Sequence, residues 1–545
     1  MEARQGLVSV GIGLAQSEND GLLPPAYLLF VLVILFRPGR DFSFMSLINI
    51  SNLTFAYDGS YDNIFTDVSF QIDTDWKLGF CGRNGRGKTT FLNLLMGRFE
   101  YAGTISASVR FEYFPYAVPD PSLNTLDVLS SIAPGAMLWQ IQKEISKLAV
   151  GEDALYRPFS TLSNGEQTKA LLAGLFLREN SFLLIDEPTN HLDMAARETV
   201  ARYLNEKAGF ILVSHDRAFL DGCVDYILSI NRADIEIQRG NFSSWFSNKL
   251  MRDNFEIAEN EKLKKDINRL ETAARQSSQW ADKVESAKMG KGAAAIRKKG
   301  HATKDTMAYN AEKSRRMQQR RKNLERRQQS AIEEKSTLLK NIETAEPLKI
   351  HPLAYHASSL LSAESLSISY GERAVFRDIN FTLERGDRIA LIGGNGSGKS
   401  SIIKLICGED IRHSGHVSVG NRLVISYVPQ DASFLMGDLD AYAAGQQVDI
   451  TLLRTILRKL DFTRVQFEKD MRDYSAGQKK KVLLAKSLCQ QAHVYIWDEP
   501  LNYIDVLSRI QIEELIAASH PTMIFAEHDR AFCDNVATKT VMLEK

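Results

Sequence analysis

The chain has few cysteines, no long apolar run and no net charge. Its 545 residues include five cysteines without paired or metal-type spacing, which indicates reduced, cytosolic thiols rather than disulfides or a zinc cluster. The apolar run at residues 26–36 has eleven residues, whereas a membrane span needs about 20. With 67 basic and 67 acidic residues, the overall charge does not by itself point to a nucleic-acid partner.

Residues 1–45 match nothing downstream and are interpreted as an N-terminal extension that is not native. Only Arg4 supplies positive charge ahead of the apolar run, and residues 37–40 replace the small-residue cleavage site of a secretory signal. An alternating strand at residues 47–55 follows Met45, which we therefore expect to be the true start. A short membrane-surface anchor is the alternative interpretation.

Four nucleotide-handling motifs occur twice in the same order, 311 to 313 residues apart. They are a glycine-rich phosphate loop, a Ser-x-Gly motif, a strand ending in Asp-Glu-Pro, and a histidine followed by Asp-Arg. Chance would not keep four spacings within two residues. The repeat predicts α/β domains at residues 46–245 and 351–545, with a linker at residues 246–350.

Each phosphate loop lies between an apolar strand and a helix, which is the context of a working loop. Its glycines let backbone N–H groups point at the phosphates, and the helix N-terminus adds its positive dipole end. Lys88 and Lys399 would reach the β- and γ-phosphates, while Thr89 and Ser400 would ligate magnesium. The predicted ATP-binding loop residues are Gly82, Arg83, Asn84, Gly85, Arg86, Gly87, Lys88, Thr89 and Thr90, and Gly393, Gly394, Asn395, Gly396, Ser397, Gly398, Lys399, Ser400 and Ser401.

Paired carboxylates end two apolar strands, where a parallel sheet presents side chains to a nucleotide. Asp186 and Asp498 are predicted to hold magnesium. Glu187 and Glu499, one residue further on, are placed to polarise a water molecule towards the γ-phosphate. The sequence therefore predicts a general base in each half.

Histidine, tyrosine and glutamine side chains complete the predicted sites. A single histidine after a strand is more often structural, but His215 and His528 stand in register beside the other motifs, which favours a contact with the γ-phosphate. Gln430 is a candidate metal or water contact, whereas the first half has Tyr116 at that place. The candidate adenine-stacking residues, 25 and 23 residues before their loops, are Tyr57 and Tyr370.

These motifs resemble the ATP-binding cassette superfamily, whose diagnostic signature is Leu-Ser-x-Gly-Glu/Gln, and the resemblance covers nearly all of residues 46–545. It implies two cassettes arranged head to tail, in which ATP and Mg²⁺ on one phosphate loop are capped by the signature of the other cassette. Site one would join Lys88, Asp186 and Glu187 to Ser475 and Gly477, and site two would join Lys399, Asp498 and Glu499 to Ser163 and Gly165. The implied activity is ATP hydrolysis.

The linker combines helical periodicity with an excess of basic residues. Apolar residues in 263–284 follow a 4-3 spacing, and those in 317–338 recur every seven residues, which predicts a hairpin of two long helices. The first would have about 40 residues and extend about 60 Å, and the glycines of residues 286–300 are expected to interrupt it. Residues 281–330 contain 15 Lys or Arg against five Asp or Glu, which favours an RNA-contacting prong over a solvated coiled coil.

Two cassettes, no transmembrane helix and a long charged linker resemble the ABC-F proteins, which act on ribosomes. Residues 240–245 are similar to a Gly-Asn-Tyr-Ser motif of that family, and residues 63–65, the first phosphate loop and Tyr116 resemble its Lsa- and Vga-type antibiotic-resistance factors. The resemblance implies a cytoplasmic monomer with intramolecular cassette pairing. By the same resemblance, the protein would enter the exit site of the 70S ribosome and displace lincosamides, pleuromutilins and streptogramin A compounds. The implied contacts with ribosomal RNA and tRNA are Lys288, Met289, Lys291, Ile296, Arg297, Lys298 and Lys299.

Three other functions stay open. Housekeeping translation factors of the same family often carry an extra arm before the first signature, but the 47 residues from Tyr116 to Ser163 leave no room for a large one. A transporter ATPase subunit would not need a basic hairpin, and DNA-associated cassette ATPases usually carry zinc-type cysteine clusters. We therefore expect no integral membrane partner and no DNA ligand. Residues 189–193 and 501–505 differ, so the two sites are expected to hydrolyse ATP unequally.

Overall fold

The computed structural model describes residues 46–58, 63–190, 192–230, 235–296, 319, 323, 326, 327, 330, 350, 352–371 and 373–543. Within residues 273–296, the structure describes the backbone but only one side chain, that of residue 276. The chain divides into two compact units, Met1–Leu47 and Ile48–Lys545. Both cassettes lie in the second unit, and the predicted extension lies outside the described residues.

The first cassette alternates strands and helices around a mainly parallel sheet. Its elements are β1 (Leu47–Phe55), β2 (Phe65–Asp73), β3 (Lys77–Cys81), α1 (Lys88–Leu95), β4 (Ala102–Ser106), β5 (Arg110–Phe114), α2 (Thr125–Ile132), α3 (Leu138–Lys147), α4 (Asn164–Phe176), β6 (Ser181–Asp186), α5 (Met194–Asn205), β7 (Phe210–Val213), α6 (Arg217–Cys223), β8 (Tyr226–Ile230) and β9 (Ile235–Arg239). The central sheet has the order β5-β6-β7-β3-β8-β9, parallel except for β9. A second sheet has the order β2-β1-β4.

The linker helix α7 (Phe242–Ile296) has 55 residues and begins inside the first cassette, where Phe242 and Trp245 are part of the core. The predicted interruption at residues 286–300 is wrong as far as Ile296, since the helix continues through Gly290 and Gly292. Each glycine costs a helix only about 1 kcal/mol, and no proline is present in this stretch. At 1.5 Å per residue, α7 extends about 80 Å.

The predicted second linker helix is described only at isolated positions. Residues 319, 323, 326, 327 and 330 are helical, and the remainder of residues 297–349 lies outside the described residues. Ile350, the last residue of the predicted linker, packs in the core of the second cassette. No helix in the described part of the chain combines the length and apolar character needed to span a lipid bilayer.

The second cassette repeats the first. Its elements are β10 (Ser359–Tyr370), β11 (Arg373–Glu384), β12 (Arg388–Gly393), α8 (Lys399–Ile406), β13 (His413–Val419), β14 (Ile425–Val428), α9 (Leu439–Gly445), α10 (Ile450–Lys459), α11 (Arg464–Phe467), α12 (Ala476–Cys489), β15 (Val494–Asp498), α13 (Val506–Ser519), β16 (Met523–Ala526), α14 (Arg530–Val536) and β17 (Lys539–Leu543). Its parallel sheet has the order β14-β15-β16-β12-β17, and its antiparallel sheet the order β11-β10-β13.

The parallel strands explain where the motifs lie. Strands β7 and β16 are buried along their whole length, as expected for parallel strands covered on both faces. Large side chains such as Trp497 and Tyr495 fill the core beside the sheet. The carboxyl ends of β3, β6 and β7, and of β12, β15 and β16, therefore meet at one edge, where the sequence motifs follow.

Candidate active site

Each phosphate loop turns into its helix through a glycine in a left-handed conformation. Gly87 (φ 91°) precedes α1, and Gly398 (φ 95°) precedes α8. A Cβ on Gly87 would lie 2.6 Å from Ile64, and one on Gly398 would lie 2.7 Å from Val375. Both positions therefore require glycine on conformational and steric grounds.

The loop lysines fold back over their own loops. Lys88 Nζ donates to the carbonyl oxygens of Gly82 at 2.7 Å and Arg83 at 3.1 Å. Lys399 Nζ donates to those of Gly393 at 2.9 Å and Gly394 at 3.1 Å. Burial lowers the pKa of both lysines, and neighbouring carboxylates oppose this effect. Each ammonium group is thus held at the mouth of its loop.

The predicted metal ligands lie beside each other in both cassettes. The Thr89 hydroxyl donates to Asp186 Oδ2 at 2.9 Å, and the Tyr113 hydroxyl donates to the same oxygen at 3.0 Å. In the second cassette, burial raises the pKa of Asp498 and the nearby Ser400 hydroxyl opposes this effect. Both Asp498 oxygens are buried and receive no hydrogen bond of ordinary geometry from the described residues. Such oxygens need a partner, which a cation would supply.

The two glutamates occupy equivalent, strained positions. Glu187 (φ 51°) and Glu499 (φ 46°) both adopt a left-handed conformation that is uncommon for residues other than glycine. Oε1 of Glu187 lies 3.3 Å from His215 Nε2, and Oε1 of Glu499 lies 3.5 Å from His528 Nε2. The structure therefore brings each predicted base next to its predicted histidine.

The electrostatic environments of the two glutamates differ. Burial, reinforced by Asp186, raises the pKa of Glu187 to about 8. Burial also raises that of Glu499, but the nearby His528 and Gln430 side chains outweigh this effect, so that its pKa falls to about 2. Burial and nearby cations lower the pKa of His215 well below its usual value.

Gln430 and Tyr116 account for part of this difference. Gln430 lines the cavity that contains Glu499. Tyr116, at the corresponding place of the first cassette, instead packs against the hydrophobic core. Site two therefore has the Gln430 amide beside its glutamate, whereas the residue at the same place of site one, Tyr116, packs against the core.

The candidate adenine platforms are held in matching ways. Tyr57 is 45% exposed and its hydroxyl lies 2.7 Å from Thr90 Oγ1, whereas Tyr370 is 56% exposed and its hydroxyl lies 3.1 Å from Ser401 Oγ. Each ring therefore lies at the rim of a cavity next to the helix that follows the phosphate loop. An exposed, anchored ring is suited to stacking on a planar base.

Two cavities form between the cassettes, and each combines one phosphate loop with the signature of the other cassette. The site-one cavity has a volume of about 590 Å³. It is lined by Tyr57, Asn84, Gly85, Gly87, Lys88, Thr89, Thr90, Asp186, Glu187 and His215 from one side and Ser475 and Gly477 from the other. The site-two cavity has a volume of about 1150 Å³. It is lined by Tyr370, Asn395, Gly396, Ser397, Gly398, Lys399, Ser400, Ser401, Gln430, Glu499 and His528 together with Ser163 and Gly165.

Direct contacts across the interface support this pairing. Asn84 Nδ2 donates to the carbonyl oxygen of Tyr503 at 2.9 Å, and a Cβ on Gly477 would lie 2.6 Å from the same oxygen. In site two, the Asn395 N–H donates to Asp193 Oδ2 at 3.4 Å. Within the second cassette, the absence of a side chain at Gly477 lets the Tyr503 carbonyl lie close to the signature, and the same oxygen accepts from Asn84 of the first cassette.

Some predicted site residues lie elsewhere. Gly82, Arg83 and Arg86 line a separate small cavity together with Trp245 and with Leu507 of the second cassette. The backbone of Lys288, Met289, Lys291 and Ile296 is helical, but their side chains and the whole of residues 297–299 lie outside the described residues. The predicted ribosome contacts therefore stay predictions.

Sequence reasoning missed several charged residues that connect the cassettes. Arg197 Nη1 donates to Asp216 Oδ2 at 2.8 Å and to the carbonyl oxygen of His528 at 3.0 Å. Arg217 forms an ion pair with Glu513 of the other cassette. These residues follow the motifs closely in sequence, and the repeated Asp-Arg after each histidine was the available signal.

The fold and the paired cavities define a duplicated ATP-binding-cassette ATPase. The model of the ABC transporter family matches residues 65–190 and 376–502. The ribosome protection protein VmlR of Bacillus subtilis is 26% identical over 513 residues, covering 91% of this chain and 86% of VmlR. The energy-dependent translational throttle protein EttA of Haemophilus influenzae is 26% identical over 534 residues, covering 87% of this chain and 88% of EttA.

A solved structure supports the same architecture. The archaeal ribosome recycling factor aABCE1, in complex with the ribosomal stalk protein aP1, has a TM-score of 0.57 at 19% identity. The match covers 90% of this chain and 87% of that chain, and at this identity it supports the fold alone. The chain contains two domains of the ABC transporter family in tandem and is an ATPase, and the proteins it is similar to include ABC-F members such as VmlR and EttA.

Proposed function

We propose that this ATPase binds the 70S ribosome at the exit site from the cytoplasm and protects it from lincosamides, pleuromutilins and streptogramin A compounds. In this proposal, ATP at both sites holds the cassettes together and hydrolysis releases the protein. A single chain acts alone, since its own two cassettes complete both sites.

The chemistry at each site is assigned from the geometry described above. ATP phosphates would lie against the phosphate-loop N–H groups and the lysine ammonium group. Magnesium would be held by Thr89 and Asp186 at site one and by Ser400 and Asp498 at site two, where it would neutralise phosphate charge. This donor set fits, because hydroxyl and carboxylate oxygens are the ligands that magnesium prefers.

Hydrolysis is assigned to the glutamates. Glu187 and Glu499 each lie in a cavity with their phosphate loop, and each has a histidine within 3.5 Å. In the proposed reaction the glutamate accepts a proton from the attacking water, and the histidine contacts the γ-phosphate. A carboxylate must be ionised for this role.

The single observation that carries the ribosomal proposal is the linker. Helix α7 extends 55 residues from the first cassette, and residues 281–330 have a net charge of +10. A rod of about 80 Å that leads into this basic segment is suited to bring it to RNA phosphates. The protective role is supported by the similarity to VmlR, a protein named for ribosome protection.

The decisive experiment separates the linker from the ATPase. Residues 289–297 are replaced by a short Gly-Ser turn, and the inhibitory concentrations of a lincosamide and a pleuromutilin are measured in a sensitive host at equal expression. We expect resistance to be lost while ATP hydrolysis persists. The replaced segment contains two basic residues, Lys291 and Arg297. A matched control, Arg315→Ala with Arg316→Ala, removes an equal number of positive charges from another part of the linker and should retain resistance. Full resistance after the tip replacement would reject linker insertion.

A housekeeping translation factor is the second candidate, because EttA is as similar to this chain as VmlR is, at 26% identity. The absence of any resistance from the intact protein, combined with association with ribosomes, would favour this candidate. The segment from Tyr116 to Ser163, 47 residues long, leaves no room for a large inserted arm, which favours protection instead.

A further inference from the structure

Two adjacent lysines of α12 point to different nucleotide sites. Lys481 lines the site-one cavity, and its Nζ donates to Asp505 Oδ2 at 3.1 Å. Lys480 Nζ turns the other way and donates to the carbonyl oxygens of Pro429 at 2.9 Å and Glu499 at 3.1 Å. Pro429 precedes Gln430, so both acceptors belong to loops that line site two. Helix α12 therefore contacts both sites.

A buried carboxylate accompanies this lysine. Lys480 is only 3% exposed; burial lowers its pKa, and Glu527 is the neighbour whose charge opposes this most. Glu527 Oε1 accepts the Leu501 N–H at 2.7 Å, and Oε2 accepts the His528 N–H at 3.1 Å. Lys480 and Glu527 thus hold three loops of the second cassette at site two.

The first cassette has a neutral pair at the equivalent places. Thr168 corresponds to Lys480 and Ser214 to Glu527, at the same repeat offsets as the motifs beside them. Ser214 Oγ lies 3.3 Å from Thr189 Oγ1, and a threonine at position 168 carries no ammonium group. Both ionisable side chains are therefore absent from the first cassette.

We propose that Lys480 is a positioning residue that couples the two sites in one direction. The start of α12, at Ser475, caps site one, so closure onto ATP there shifts the helix that carries Lys480. The ammonium group transmits this shift to the loops that hold Gln430 and Glu499 at site two. In the first cassette the equivalent residue, Thr168, carries no ammonium group, so a shift at site two is not transmitted to site one in this way. The inference rests on the proposed assignment of Glu499 as the water-activating base.

The positioning role is tested with hydrolysis confined to one site. In a Glu187→Gln background, Lys480→Met keeps the side-chain length and removes the charge. We expect kcat to fall about 10- to 100-fold, because small misplacements of catalytic groups have effects of this size, while KM for ATP changes less than twofold. Lys480→Arg should restore most of the rate. A loss confined to KM would overturn the proposal.

A matched control lies on the same helix. Lys486 is half-buried and its Nζ donates to the carbonyl oxygen of Tyr427 at 3.3 Å, away from the site-two cavity. Lys486→Met should leave kcat within twofold. If Lys480→Met does not fold, Lys480→Thr with Glu527→Ser introduces the neutral pair of the first cassette and should give the same loss of kcat.

Coupling is tested by adding Ser475→Arg, which obstructs the cap of site one. With Lys480 present, we expect Ser475→Arg to lower site-two turnover. With Lys480→Met present, it should cause no further loss, whereas additive losses would overturn the coupling.

Glu499→Gln in the same background tests the base separately: if turnover survives that change, the assignment of Glu499 fails and the coupling fails with it. If turnover is lost with Glu499→Gln but not with Lys480→Met, the coupling alone fails.

Discussion

Arg83, in the first phosphate loop, forms an ion pair with Asp461 of the second cassette. The Arg83 side chain is 9% exposed and the Asp461 side chain is 26% exposed. At the equivalent places of site two stand Gly394 and Ala149, which carry no charge. Ala149 (φ 51°) and Asp461 (φ 65°) share the same left-handed backbone, so the positions correspond in structure as well as in sequence. At this pair of equivalent positions, a charged connection therefore exists at site one and not at site two.

This asymmetry predicts a coupling energy between Arg83 and Asp461. Arg83→Gly and Asp461→Ala, which introduce the residues of site two, should each weaken ATP binding at site one and should not be additive when combined. A contacting pair of this kind has a coupling of about 0.5–3 kcal/mol. The measurement is a double-mutant cycle on nucleotide affinity, in a background where both glutamates are glutamine.

The cross-cassette pair of Arg217 and Glu513 provides the control cycle, since it joins the cassettes away from the phosphate loops. Its removal should lower the affinities of the two sites to a similar extent. Additive effects of Arg83→Gly and Asp461→Ala would contradict an energetic role for the first pair.

A second prediction concerns the glutamates. Glu187→Gln combined with Glu499→Gln keeps the size of each side chain and removes the base, so ATP should bind without being hydrolysed. Loss of a positioned base usually lowers the rate about 10²- to 10⁴-fold. Steady-state ATPase activity within threefold of wild type would refute the assignment, provided that equilibrium binding of ATP is retained.

The motifs themselves were predictable from the sequence, because a phosphate loop or an Asp-Glu strand end needs fixed residue types at fixed spacing. The four repeat offsets predicted the duplication, and the structure brings Ser475 into the cavity that contains Lys88. Both histidines were predicted to contact the γ-phosphate, and the structure places each one beside its glutamate because the strands that precede them are neighbours in the sheet. The position of Tyr116 did not, since core packing rather than a motif determines it.

Long-range charge pairs were not predictable from one sequence. Asp461 and Lys480 lie outside the predicted motif residues, and only the folded chain shows that Asp461 pairs with the other cassette and that Lys480 binds carbonyl groups of its own cassette. The end of α7 was also predicted wrongly, because the glycines at 290 and 292 were weighted above the alanines at 293–295. Alanine is the best helix former and offsets part of their cost.

A third prediction concerns a buried carboxylate in the first cassette, Glu144, whose counterpart in the second cassette is Ile456. Glu144 Oε2 accepts hydrogen bonds from the Tyr203 hydroxyl at 2.7 Å and from Lys207. Burial raises its pKa, but these bonds outweigh burial, so the pKa is lowered on balance. Glu144→Gln should therefore reduce the free energy of unfolding by about 1.5–3 kcal/mol at pH 7.

The sign of the pH dependence follows from the lowered pKa. The stabilisation by Glu144 is present above its unfolded pKa and is lost as the pH falls through its folded pKa. Urea midpoints of wild type and Glu144→Gln should converge as the pH is lowered below about 4. Glu206→Gln, which removes an exposed partner of Lys147, is the control and should cost less than about 1 kcal/mol at any pH. A constant difference between wild type and Glu144→Gln would contradict the prediction.

The last prediction tests whether each site is shared between the cassettes. Ser475 lies in the cavity of Lys88, and Ser163 lies in the cavity of Lys399. Ser475→Arg places a long cation where the signature should approach ATP, so it should impair nucleotide capture at site one and leave capture at Lys399 intact. Ser163→Arg should do the reverse, which makes each variant the control of the other. The measurement is crosslinking of a photoreactive ATP analogue, followed by assignment of the labelled cassette. If Ser475→Arg abolished labelling at Lys399 alone, each cassette would bind ATP with its own signature, and the head-to-tail arrangement would be rejected.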